Sequence, residues 1–129
     1  MVSDRTGFGR IAGLGSTKEI VRHWLTQRLS SIVLIPLGFP FVYVVGANLG
    51  QSRETVIAGF ASPLVSLLTM LFLLAGFYHL QQGLQVVIED YVHTERTAKT
   101  LLTLNTALCW IFATFGVLAV AGMWFGFSG

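Results

Sequence analysis

Residues 29–49, 62–88 and 101–125 contain no aspartate, glutamate, lysine or arginine. As a helix rising 1.5 Å per residue, about 20 residues cross ~30 Å of hydrocarbon, so each stretch is long enough to span a bilayer. In lipid every backbone polar group must find its partner inside the segment, which leaves helices and closed barrels. Barrel strands would be about half this length with strict alternation, and these runs do not alternate. The chain has 129 residues, of which 53% are hydrophobic and only 11% charged, with a mean hydropathy of +0.71. A soluble domain carries about 25% charged residues. A core of this size cannot hide that much apolar surface, so lipid is its natural solvent. The expected fold class is an all-α membrane protein with three transmembrane helices, preceded by a polar arm over residues 1–28 and forming one anchor unit over residues 29–125.

Orientation follows from the basic residues. Arg5, Arg10, Lys18, Arg22 and Arg28 precede the first span, and Arg96 and Lys99 lie between the second and third. Only Arg53 lies between the first and second, and none follows the third. The positive-inside rule then puts the N-terminus in the cytoplasm and the C-terminus outside. Trp24 falls at the inner interface, and Tyr43 and Trp124 at the outer one, where aromatic belts form. The arm lacks an apolar region near its start, so it reads neither as a secretory signal nor, with Asp4 and Glu19, as a mitochondrial presequence. Gly7, Gly9, Gly13 and Gly15 suggest an irregular arm, and Ser16 or Thr17 can cap a short amphipathic helix leading to Arg22-His23-Trp24. Residues 50–54 read as an outer loop, and Pro36 and Pro40 should bend the first span. The single cysteine, Cys109, excludes an internal disulfide and reads as a small buried hydrophobe. A net charge of +2 without a basic stripe interleaved with aromatics gives no nucleic-acid signal.

His79 lies inside the second span. Ionisable side chains in membrane helices are costly, about 2.5 kcal/mol or more for charged residues, and usually face a protein interior. Histidine also binds metals and relays protons near neutral pH. On a helical wheel Gly76 and Gly83 lie close to the face of His79, and Asp90 returns to it three turns later. Glycines flanking the imidazole leave a flat slot that suits a planar macrocycle; they equally suit close helix packing. The cluster Glu89-Asp90-Tyr91-Val92-His93 ends this span, with Tyr91 ~17 Å from His79 along the helix. It reads as a solvated helix end or as a redox-linked site at the water interface. A second cluster, Gln27-Arg28-Leu29-Ser30-Ser31, opens the first span and offers a cation for an anionic group, with Ser30 or Ser31 as weaker hydrogen-bonding candidates. Both clusters are expected at one depth in the cytoplasmic leaflet. His23 reads as interfacial, and Met70, Met123 and Trp110 as lipid-facing or packing residues. There is no serine–histidine–aspartate arrangement, phosphate loop or dinucleotide fingerprint.

His79 with Asp90-Tyr91 at this spacing, and Trp24-Leu-Thr-Gln-Arg-Leu-Ser-Ser at the first span, resemble the small (D-type) membrane anchor of succinate dehydrogenase, respiratory complex II, in its alphaproteobacterial form. The resemblance runs from about residue 20 to the end. It implies half of a heterodimeric helix bundle in the bacterial inner membrane, sandwiching haem b with a second, cytochrome b-type anchor subunit. It implies His79 as an axial ligand of the haem iron, Arg28 near the haem propionates or quinone pocket, and Tyr91 and Asp90 at the ubiquinone. It further implies an iron–sulfur subunit and a flavoprotein subunit carrying the succinate chemistry of the tricarboxylic acid cycle. A haem-free structural anchor and a fumarate reductase anchor stay open as alternatives. A small proton-coupled carrier fits poorly, because Glu54, Glu89, Asp90 and Glu95 all lie at or beyond span ends.

Overall fold

A computed structural model describes residues 17–127 and is helical throughout its elements: α1 (Thr17–Asn48), α2 (Arg53–Phe60), α3 (Pro63–Tyr91) and α4 (Glu95–Phe125). The glycine-rich arm and the Ser16 cap lie outside the described residues. The three long helices are the three expected spans, each long and apolar enough to cross a membrane.

The helices exceed the apolar runs. α1 begins at Thr17, twelve residues before the first uncharged run, and α4 begins at Glu95, six before the third. Hydropathy marks where hydrocarbon lies, whereas helix ends are set by backbone satisfaction. Long Lys and Arg stems snorkel and keep their heads wet, so Lys18, Arg22 and Arg28 are compatible with a helix running beyond the bilayer core. The expected short amphipathic helix is therefore the first turns of α1. The helix continues through both Pro36 and Pro40. Residues 50–54 are not wholly loop: Ser52 caps α2 by accepting from the Thr55 amide at 3.3 Å, so Arg53 and Glu54 are already helical. Pro63 sits in the first turn of α3, where its missing N–H is not needed. Gly126, at φ 76°, closes α4 in the left-handed region that glycine tolerates.

The helices lie in a row. α3 is central, α1 packs along one side of it and α4 along another, and α1 and α4 scarcely touch. The short α2 packs against α3 and α4. Ser66, fully buried, donates to the Phe60 carbonyl at the end of α2 and ties that helix to α3. What the row buries is small or polar: Ser30, Thr69, Gln82, Glu89, Asn105 and Ala113. What it exposes is large and apolar, including Ile35, Phe39, Val42, Phe115 and Leu118. This inverts the soluble pattern and fits helices that associate through packing and hydrogen bonds rather than through a hydrophobic drive. Hydroxyls in the spans back-bond to carbonyls, as Thr69 does to Val65 and Thr114 to Trp110, both at 2.8 Å. Cys109 is buried, as expected.

Candidate functional site

The polar contacts concentrate where the first half of α1 meets the second half of α3. His79 Nδ1 and Ser30 Oγ are 2.9 Å apart, and Ser30 Oγ also lies 2.8 Å from the Gln27 carbonyl oxygen. One turn nearer the start of α1, Gln82 donates from Nε2 to Thr26 Oγ1 at 2.9 Å. The Thr26 hydroxyl points its own hydrogen at the Arg22 and His23 carbonyls, 3.0 Å from each. Thr26 must therefore accept from Gln82, which fixes the amide nitrogen toward α1. Gln82 Oε1 is then buried without a partner, and so is His23 Nε2. Most buried polar atoms in native proteins are hydrogen-bonded, so these two are exceptions among the described residues. His23 is half-buried as a residue, with its Nε2 buried.

The other imidazole nitrogen, His79 Nε2, makes no hydrogen bond among the described residues and is not among the fully buried unpartnered atoms; the residue is half-buried. The flanking glycines divide the two readings of their spacing. A Cβ on Gly76 would meet Leu34 Cδ2 of α1 at 3.8 Å, which is ordinary helix packing. A Cβ on Gly83 would meet nothing within 4 Å, so the chain is open beside His79 on that side. The donor set and the notch fit a flat ligand approaching Nε2. No group of three or more His, Cys, Asp or Glu side chains able to hold a metal ion occurs among the described residues.

The remaining sequence candidates are dispersed. Arg28 is exposed and lies over the Trp24 ring, 5.4 Å from its centroid, within cation–π range. Asp90 and Tyr91 are exposed and have no partner among the described residues, whereas their neighbour Glu89 is buried and accepts from Gln85 Nε2 at 2.8 Å. The end of α3 is therefore not uniformly solvated. Contacts between residues 30 and 79 and between 26 and 82 set an antiparallel register that places Arg28 opposite residues 80–81. Tyr91 lies about ten residues, or ~15 Å, further along. The two clusters do not share one depth: Arg28 is level with His79, and Asp90-Tyr91 stand three turns nearer the end of the bundle. Thr26 and Gln82 were not singled out from the sequence. The signal lay in His23, Thr26, Gln27 and Ser30, spaced as one polar stripe on α1.

A sequence model of the succinate dehydrogenase/fumarate reductase transmembrane subunit matches residues 3–125. The chain belongs to that family. Among curated relatives, it is 32% identical over 114 residues to the succinate dehydrogenase hydrophobic membrane anchor subunit of Paracoccus denitrificans, covering 88% of each chain. It is 31% identical over 88 residues to the subunit of the same name from Rickettsia bellii, covering 68% of this chain and 70% of that one. The succinate dehydrogenase membrane anchor subunit of Reclinomonas americana is 29% identical over 84 residues, 63% of this chain and 70% of its own. No solved structure matches significantly. The expected alphaproteobacterial kinship holds, and with three spans the chain is a multi-pass inner-membrane protein. Its place in the family is that of a membrane anchor assembling with further subunits of a succinate dehydrogenase-type complex.

Proposed function

We propose that this chain is the small anchor of a succinate:ubiquinone oxidoreductase, that it binds haem b jointly with a second anchor subunit, and that it builds part of the ubiquinone reduction site. The observation that supports this reading is a half-buried His79 whose Nδ1 is held by Ser30 and whose Nε2 has no partner among the described residues, one turn from the open space at Gly83. A bound haem b would supply a one-electron carrier within the bilayer. His79 would offer Nε2 as one axial ligand, and the second imidazole would come from the other anchor subunit. Arg28, level with His79, carries a planar cation whose fork suits a carboxylate such as a propionate. At that depth it is nearer His79 than Tyr91.

Tyr91 would donate its phenol hydrogen to a ubiquinone carbonyl, where negative charge develops as electrons arrive. Asp90 beside it would orient the phenol or pass protons from water. Both are exposed because an isolated chain supplies only one wall of such a pocket. The iron–sulfur and flavoprotein subunits would bring the electrons, docking on the cytoplasmic side, where the basic residues of the N-terminal arm and of the α3–α4 connection gather. The row of three helices, open on its faces, suits a second anchor subunit in the way half a bundle does.

The test is succinate oxidation by the complex purified through this chain, measured with ubiquinone and with an artificial dye as acceptor. Tyr91→Phe should lower the ubiquinone rate by about 100-fold and leave the dye rate intact. Equal ubiquinone rates in the variant and wild type would remove Tyr91 from the site.

A further inference from the structure

We infer that Ser30 is a positioning residue for His79: its hydroxyl holds the imidazole as the Nδ1–H tautomer and so leaves the Nε2 lone pair free. A hydroxyl has one hydrogen and two lone pairs. Ser30 Oγ makes two close contacts, to the Gln27 carbonyl oxygen at 2.8 Å and to His79 Nδ1 at 2.9 Å. A carbonyl oxygen only accepts. If the hydroxyl hydrogen pointed at His79, two oxygens would face each other at 2.8 Å with no hydrogen between them, which is repulsive. The hydrogen therefore goes to Gln27, a back-bond that serine favours within a helix. At the other contact Ser30 accepts, and His79 Nδ1 donates.

The setting makes this assignment binding. Ser30 is buried, so water does not compete for its lone pairs. Losing the acceptor would leave an Nδ1–H without a partner inside a membrane protein, which is unfavourable. In a neutral imidazole the nitrogen opposite a donating Nδ1–H bears the lone pair, and which nitrogen is free is set by the hydrogen bond the other makes. A partner on Nδ1–H also fixes the ring plane, as outer partners of ligating histidines do. The tautomer assignment stands on the two distances alone. Its role in cofactor binding rests on the haem reading above.

The experiment reads the two separately. The full-length chain, with ¹⁵N-labelled histidine, is placed in lipid bilayers without haem, and the His79 signals are identified as those missing from His79→Gln. Wild type and Ser30→Thr, which keeps the hydroxyl, should show a protonated Nδ1 and a bare Nε2. Ser30→Ala should lose that single pattern. A protonated Nε2 in wild type, or an unchanged pattern in Ser30→Ala, overturns the inference; the wild-type measurement decides it even if Ser30→Ala fails to insert. In the purified complex, Ser30→Ala should release haem about tenfold more readily, with Ser30→Thr restoring its retention. Normal haem binding in His79→Gln would overturn the haem reading while leaving the tautomer result intact.

Discussion

The two sides of α3 are built differently. Its seam with α4 is closed. Ala98 and Ala113 are fully buried, Gly116 brings its helix against Leu73 Cδ1 (a Cβ there would stand 3.0 Å away), and Asn105 donates to the Gln81 carbonyl at 2.8 Å. Even the Cys109 thiol reaches Asn105 Oδ1 at 3.5 Å. The seam with α1 closes toward the end of α1, where Phe41 stacks on Phe72 at 4.0 Å between centroids and a Cβ on Gly38 would meet the Phe72 ring at 3.9 Å. Nearer its start it holds polar side chains, two buried atoms without partners and the open side of Gly83. Small residues that let backbones approach are the ordinary glue of membrane helices. Unpaired polar atoms are not. The α4 seam is therefore closed by packing, and the α1 seam is where the proposed cofactor would sit.

That contrast can be broken by filling each seam with the same side chain. Gly83→Leu should remove haem from the purified complex while leaving assembly intact, because within this chain the new side chain starts in open space; the haem content per complex measures it. Gly116→Leu should do the reverse, costing about 1–3 kcal/mol of stability through overpacking against Leu73, seen as earlier unfolding in a denaturing-detergent titration, with the haem of the folded fraction unchanged. A milder lesion of the closed seam is Asn105→Leu. It deletes one interhelical hydrogen bond and should cost about 0.6–1.7 kcal/mol in the same titration. Smallest of all is Lys99→Ala, off both seams. Its pair with Glu95 at 2.7 Å is more than half exposed on both sides, so the change should stay under about 0.5 kcal/mol.

The spans were legible because three uncharged runs leave helices as the simplest solution in lipid, and His79 was legible because a histidine amid such a run is rare. The helix ends were less so: α1 extends back to Thr17 through charged residues that hydropathy discounts. The eight-residue α2 was missed although Ser52 and Thr55 carry its capping contact, since so short a segment shows no periodicity. Gly76 and Gly83 looked equivalent on a wheel. Only the crossing of α1 distinguishes them, bringing Leu34 to the first and nothing to the second. Ser30 was a weak candidate for the same reason. Which side chain of α1 meets which of α3 depends on register between helices, and a one-helix pattern does not contain it. Register also separates Arg28 from Tyr91, which hydropathy alone placed at one depth.

The most direct measurement is a reduced-minus-oxidised optical spectrum of the complex purified through this chain, from wild type and from His79→Ala, at matched subunit content. The expected result is a sharp b-type haem band in wild type that is lost or strongly diminished in the variant, while the partner subunits still co-purify. An unchanged band in His79→Ala, or no haem band in a wild-type complex that retains its partners, would contradict the assignment of His79 and return the α1 seam to helix packing.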